Sequence, residues 1–272
     1  MKNTLILAAA LLGPAWAGDA PAPRLNCDQP GLYMSGFVSS CVMKEVSTAF
    51  LGSLTAETPL GSISVVGWDQ PDVLVRARVE AAAPTKAEAD DLAAEIQPNV
   101  VGTSVSVAAP ARTSKRNWSV SFEILMPRAA NLSLHTSVGS ISIADMKGTI
   151  RFVAKTGSVS LDRLAGDVQG STNVGSISIV LDGDHWDGDT LAVKTNVGST
   201  ALKVPAFYSA HFSLTTNIGK IDATALGAPT YIPTGFKLGG NVTLDTGSGG
   251  ATIAAETNVG SIAVQLTPTS NP

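Results

Sequence analysis

The chain is poor in the side chains that most function classes rely on. Aromatic residues make up 5% of its 272 positions and charged residues 15%. With so few bulky side chains, thin layers of Val, Ile, Leu and Ala between stacked strands suit the composition better than a thick globular core. Lysine and arginine total 18 against 22 acidic residues and form no basic run, so the face that non-specific nucleic-acid binding needs is missing. No segment approaches the ~20 consecutive apolar residues of a transmembrane helix. There is no Gly-x-Ser-x-Gly elbow and no P-loop. His135, His185 and His211 share no close spacing with cysteines or carboxylates, as zinc ligands usually do.

The N-terminus carries Lys2, an apolar run from Leu5 to Leu12, Pro14 and an Ala15-Trp16-Ala17 site. This is the pattern of a secretory signal peptide over residues 1–17, with the mature chain starting at Gly18. Only two cysteines follow, Cys27 and Cys41. Neither adjoins the cleavage point, so no lipid anchor is expected. In an oxidising compartment the pair is expected to form a disulfide, and its spacing is too wide for a C-x-x-C redox motif. Closing a loop of about 15 residues would contribute ~3 kcal/mol in the chain-entropy model. The expected location is periplasmic or secreted.

The most informative feature is a repeat. It reads Thr58-Pro-Leu-Gly61-Ser-Ile-Ser-Val65, Thr136-Ser-Val-Gly139-Ser-Ile-Ser-Ile143, Gly157-Ser-Val-Ser-Leu161, Thr172-Asn-Val-Gly175-Ser-Ile-Ser-Ile179, Thr195-Asn-Val-Gly198, Thr216-Asn-Ile-Gly219 and Thr257-Asn-Val-Gly260-Ser-Ile-Ala-Val264. A second glycine series, Gly148 and Gly166, is interleaved with the first. Two glycine turns per ~18 residues imply two short strands per coil, hence an all-β fold: a flattened β-solenoid with one short α-helix. Ile141, Ile143, Val159, Leu161, Ile177 and Ile179 would stack inward. Ser140, Ser142, Ser158, Ser160, Ser176 and Ser178 would line the outside. Thr200 departs from the repeat, where Ile is expected.

This divides the chain into a signal peptide (1–17), a disulfide-bearing leader (18–45), a β-rich part with one helix (46–131), the repeats (132–266) and a tail (267–272). The helix is expected over Lys86–Gln97, because Thr85 and Glu88 form a capping box and Pro98 ends the run. Roughly seven coils of ~20 residues would make a rod on the order of 30 Å long. Its open ends need covers, supplied by the leader or the helix.

The order of Val120-Ser-Phe-Glu-Ile-Leu-Met-Pro127, Leu132-Ser-Leu-His-Thr-Ser-Val-Gly139, the Gly148 and Gly166 turns, Val204-Pro205-Ala206-Phe-Tyr-Ser-Ala210 and Thr257-Asn-Val-Gly260 resembles the DUF4097 family of candidate adhesins. The resemblance spans about residues 46–266. It implies a β-solenoid of the bacterial cell envelope with no assigned catalytic residues.

Three groups of residues stand out as candidate sites. Asp182, Asp184, Asp187 and Asp189 alternate with glycines and could offer oxygens to Ca²⁺, the single cofactor candidate; a solvated turn-rich loop is the other reading. Trp68, Trp186 and Tyr231 could stack on sugar rings or pack over loops. Asp145, Asp162 and Asp167 are candidate rim carboxylates for a hydrolase, although each adjoins a turn where Asp is ordinary. The asparagines of the repeat, Asn173, Asn196, Asn217 and Asn258, are expected to hydrogen-bond locally within their turns. Together with the missing catalytic patterns, the resemblance implies a non-enzymatic envelope protein, adhesin-like or scaffolding, whose expected partner is an envelope protein or a surface glycan. A carbohydrate-binding or carbohydrate-active β-helix is the alternative. Nothing in the chain indicates its oligomeric state.

Overall fold

The computed structural model describes residues 25–28, 35–232 and 238–267. The expected signal peptide 1–17, leader residues 18–24 and 29–34, and tail residues 268–272 lie outside the described residues. The chain begins with β1 (Val38–Ala49), β2 (Ser53–Leu60), β3 (Ile63–Trp68), β4 (Asp72–Ala83), the helix α1 (Lys86–Glu95), β5 (Gln97–Val101), β6 (Ser104–Ala108) and β7 (Asn117–Pro127). It continues through β8 (Asn131–Val138), β9 (Ile141–Ala144), β10 (Lys147–Thr156), β11 (Val159–Asp162), β12 (Ala165–Val174), β13 (Ile177–Val180), β14 (Thr190–Val197), β15 (Thr200–Val204), β16 (Ala210–Ile218) and β17 (Ile221–Asp222). A single 3-10 turn at Thr224–Leu226 precedes β18 (Gly240–Thr246), β19 (Thr252–Val259) and β20 (Ile262–Leu266).

These strands form two ten-stranded sheets, ordered β1-β4-β7-β3-β9-β11-β13-β15-β20-β17 and β18-β16-β19-β14-β12-β10-β8-β2-β6-β5. From β8 to β15 the chain alternates strictly between the two sheets. Each strand pairs in parallel with the strand one repeat away, as in Ile141↔Val159↔Ile177 and Leu132↔Ile150↔Val168. The copy at Thr58–Val65 joins the same stack, since β2 pairs with β8 and β3 with β9. Both sheets therefore cross the expected boundary at 131/132.

Side chains alternate along each strand, so every second residue points between the sheets. In the first sheet these residues are Ile63, Ile141, Val159, Ile177 and Ile262, with Val65, Ile143, Leu161, Ile179, Leu202 and Val264 beside them, all buried. In the second sheet Leu134, Phe152, Val193, Ala255 and Leu214 form a matching row. Gly170 interrupts this row because a Cβ there would lie 2.5 Å from the Phe152 ring. The outward serines of the first sheet are exposed or half-buried, as their alternation predicts.

The corner between the sheets is built backbone on backbone. A Cβ on Gly157 would stand 2.0 Å from the Gly139 carbonyl oxygen, one on Gly175 2.1 Å from that of Gly157, and one on Gly198 1.9 Å from that of Gly175. Gly139 meets the Gly61 carbonyl in the same way, Gly260 meets that of Gly198, and Gly219 that of Gly260. The opposite corner repeats the device with Gly148, Gly166 and Gly188, the last of which the spacing alone does not reveal.

Two further ladders reinforce the glycine corner. Thr58, Thr136, Thr172 and Thr216 are buried, and their hydroxyls donate to the carbonyls of Val120, Gly61, Gly157 and Gly260 in the adjoining layer, at 2.8 to 3.0 Å. Thr200 lies within 3.3 Å of the Thr195 hydroxyl and 3.5 Å of that of Thr257. An Ile at this position would leave both of those buried hydroxyls without this partner, which accounts for the departure from the repeat. On the serine side, the amide of Ser140 donates to Ser62 Oγ, that of Ser199 to Ser176 Oγ and that of Ser261 to Ser199 Oγ.

Two expectations change, and the order of the stack is a further finding. The helix ends at Glu95, two residues early: Ile96 is already extended, because Pro98 bars the residue before it from the α region and Gln97 opens β5. Its capping box is present, with Thr85 Oγ1 accepting from the Glu88 amide at 3.3 Å. The coils do not stack in chain order, because β19 and β20 slot between β14/β15 and β16/β17. The asparagines bond between coils instead of locally: Asn196 Nδ2 donates to Asn173 Oδ1, Asn258 to Asn196 and Asn217 to Asn258, at 2.9 to 3.0 Å. Parallel in-register stacking sets identical side chains one strand spacing apart, which is the reach of an amide pair.

A test follows from the corner geometry. Gly175→Ala is expected to destabilise the chain by on the order of 3 kcal/mol or more, because the φ of +148° is unfavourable and the Cβ overlaps a carbonyl that cannot move alone. Gly183→Ala, at φ +73° with nothing within 4 Å, carries only the dihedral cost of ~1 kcal/mol. Thermal or urea unfolding of both variants measures the difference.

Candidate functional site

The outward face of the second sheet carries polar side chains that the stacking organises. Register aligns its side chains into rows that cross the strands. One row reads Ser133, Arg151, Gln169, Ala192, Ala254, Ser213; the next reads His135, Val153, Ser171, Lys194, Glu256, Thr215. Between and above them lies an open cleft of about 550 Å³. Its floor is low because Ala192 and Ala254, at outward positions, have little side chain. Its charges are paired across neighbouring coils: Lys194 Nζ to Glu256 Oε1 at 2.7 Å, and Arg151 to the Asp167 carboxylate at 2.5 Å. Hydroxyls of Ser171, Ser213 and Thr215 and the Gln169 amide complete a surface that both donates and accepts hydrogen bonds.

The carboxylates singled out in the sequence are held by arginines. Arg163 donates to both oxygens of Asp145 (2.9 and 3.1 Å) and to Asp162 (2.6 Å), and Arg128 bridges Asp69 (2.9 Å) and Asp145 (3.6 Å). The corner thus carries an alternating chain of charges. Asp145 and Arg163 both have positive φ, 58° and 49°, an uncommon conformation for such residues. The hydrogen bond from Arg163 holds the Asp145 carboxyl below the ordinary carboxylate range, and Arg151 does the same to Asp167. A glycosidase general acid needs the opposite shift, a carboxyl that keeps its proton near neutral pH. Asp145 and Asp167 are therefore held as anions near neutral pH.

The aspartates of the loop 182–189 are not gathered. Asp187 pairs with Lys147 at 2.5 Å, while Asp184 Oδ1 meets His185 Nδ1 at 2.5 Å. Among the described residues, no three His, Cys, Asp or Glu side chains come together as a metal-holding group. The loop is tied to the stack through its backbone, where the Ser209 amide donates to the Asp184 carbonyl at 2.7 Å. Beneath it Tyr208 is buried, and burial, with Asp182 and Asp184 nearby, pushes its hydroxyl pKa well up.

The three aromatics are packing residues to different degrees. Trp186 is 5% exposed and donates from Nε1 to the Gly166 carbonyl at 2.9 Å, so it presents no ring to a sugar. Tyr231 lies over Gly240, where a Cβ would meet its ring at 2.5 Å, and its hydroxyl donates to the Gly239 carbonyl. Trp68 is half-buried and donates to the Asp72 carbonyl at 2.9 Å. Cys27 and Cys41 are joined in a disulfide that ties the leader to β1, with Cα atoms 5.7 Å apart. No helix among the described residues is long and apolar enough to cross a membrane.

The cleft is what sequence reading missed. Its outward residues come from five different strands, β10, β12, β14, β16 and β19, and only their strict alternation with the inward aliphatics hints that they share a face.

No family model matches the chain, and no curated protein matches it. Among solved structures it is similar to a candidate cell adhesion protein from Clostridium sporogenes, at 13% identity over 83% of this chain and 100% of that one, with a TM-score of 0.41. It is also similar to a candidate adhesin from Bacteroides fragilis, at 11% identity over 83% and 97%, with a TM-score of 0.39. A candidate adhesin from Parabacteroides distasonis follows at 10% identity and a TM-score of 0.26. Likeness at this level carries no conclusion about activity.

The arginine-held carboxylate gives a pH prediction. Because the folded pKa of Asp145 lies below its unfolded value, its contribution to stability is present above about pH 4 and is lost as pH falls through the folded pKa. Arg163→Gln is expected to lower stability at pH 7 and to flatten the acid side of the stability profile. Urea unfolding of both proteins between neutral and acid pH measures it.

Proposed function

We propose that this chain is an exported, non-enzymatic β-solenoid of the cell envelope, related to the DUF4097 family, that acts by presenting a rigid polar face to a partner in an adhesin-like or scaffolding role. The observation that carries this reading is the register of the second sheet: side chains from consecutive coils stand in fixed rows, so a surface several coils long is preorganised at no further ordering cost on binding. The alternation of the chain between two sheets, with parallel pairing one repeat apart, supports the solenoid form. The Cys27–Cys41 disulfide supports an oxidising destination, periplasmic or extracellular.

The cleft favours one second reading, binding of a surface glycan. Its charges are neutralised in pairs and its remaining groups are hydroxyls and an amide, chemistry that suits an uncharged polyhydroxylated ligand better than an ionic one. The candidate carboxylates Asp145 and Asp167 argue for binding without hydrolysis, for the pKa reason above.

Two measurements test these readings. N-terminal sequencing of the chain from fractionated cells is expected to find Gly18 first, in the periplasmic or extracellular fraction; an intact Met1 terminus in the cytosol would overturn export. On a glycan array, a signal abolished by Ser213→Trp or Gln169→Trp, with no release of sugar, would place binding in the cleft. Released sugar would overturn the non-enzymatic reading.

A further inference from the structure

Each of the two sheets has two outer edges, and an unpaired edge strand is a template for further pairing. Three of the four edges are blunted. The strand β1 closes one end of the first sheet and carries Lys44 on its inward face, opposite Ala77, with its ammonium donating to the carbonyls of Ala94 and Ile96. At the other end of that sheet stands β17, which has two residues. The second sheet ends on one side in β5, whose Pro98 removes a backbone donor. On the other side it ends in β18, which has seven residues, Gly240 to Thr246, and no proline, lysine or arginine.

Among the described residues, the end of the stack at β18 is also the less completely covered one. The core at the β1 end is closed by α1, whose Ala89, Leu92 and Ala93 are buried. At the β18 end the inward-facing Val242 and Leu244 are only half-buried, and Leu238 is 53% exposed.

We propose that β18 is a self-association edge, and that its occupant is β18 of a second copy of this chain, paired antiparallel about a two-fold axis at Thr243. That register is self-complementary. It sets Thr243 opposite Thr243, Val242 opposite Leu244 on the inner side, and Asn241 opposite Asp245 on the outer side. No like charges face each other, and the single carboxylate meets an amide that can donate to it. Moving the two-fold axis two residues towards the C-terminus would instead place Asp245 opposite itself, which costs stability. The pairing would bury Val242 and Leu244 further. It would also continue the second sheet from one copy into the next, so that the rows containing Ser213 and Thr215, adjacent to β18, run on across the axis. The interaction is independent of which ligand the cleft takes.

The experiment is sedimentation equilibrium of the full chain with its disulfide intact, over a concentration series, for the wild type, Thr243→Lys and Thr243→Cys. The wild type is expected to dimerise. Thr243→Lys places two ammonium groups opposite each other on the axis and is expected to weaken the dimer at least about tenfold, with unchanged circular dichroism and melting. Thr243→Cys is expected to give a cross-linked dimer on mild oxidation, since directly opposed residues have Cβ atoms ~5 Å apart. A wild type that stays monomeric at every concentration, or a dimer that Thr243→Lys leaves intact, overturns the proposal. If Thr243→Lys fails to fold, the Thr243→Cys variant decides: no cross-linked dimer overturns it.

Discussion

The close approach of one glycine to the carbonyl of the glycine in the next coil is the constraint on which the rest of this structure depends. At about 2 Å from a hypothetical Cβ to a carbonyl oxygen, no other residue fits without moving backbone. The approach occurs six times along one corner, from Gly139 against Gly61 to Gly219 against Gly260, and Gly61 meets the Val120 carbonyl in the same way. Each contact keeps successive coils in register, and register in turn decides everything built on the sheets. A slip of one residue would turn every aliphatic side chain outward.

Once register is set, repetition makes the polar groups satisfy one another. Threonine hydroxyls inside the corner reach the carbonyls of the adjoining coil, serine hydroxyls outside it reach the amides of the next, and asparagines pair along the exposed rim. Each bond is worth about 1 kcal/mol net, but buried threonine hydroxyls left unpaired would cost more than that. The same argument accounts for the departure at Thr200, which serves two threonine neighbours where an aliphatic residue could serve neither. Ion pairs on the second sheet and along the arginine corner follow the same rule, since they join residues of neighbouring coils.

A stack of this kind has two regions where repetition cannot help. Its faces must be useful with ordinary side chains, and its ends must be closed by something other than another coil. The second sheet meets the first condition by lowering its floor with Ala192 and Ala254 between paired charges. The N-terminal end meets the second with a capped helix and an inward lysine, while the other end finishes in a plain antiparallel strand. The cleft and the β18 edge lie side by side there, because β16 lines the one and pairs with the other.

Much of the fold was legible in the chain because its signals are local. The glycine spacing, the alternation of Ile and Ser, and the Thr85–Glu88 cap each act within a few residues, and strands, inward ladders and helix follow from them. Three features depended on contacts between distant residues. The insertion of β19 and β20 between earlier coils, the asparagine ladder and the cleft all arise from which coil lies beside which, and coils with the same Thr-Asn-Val-Gly text are interchangeable as neighbours when read from sequence. Trp186 shows the same limit, since an aromatic in an acidic loop reads as a surface residue until the stack covers it. By itself the sequence determined the period, the two-sheet division and the inward face, through backbone sterics and alternation. The order of the coils, the neutralisation of the aspartates and the shape of the outer face were decided only by tertiary structure, because each depends on partners brought together across the stack.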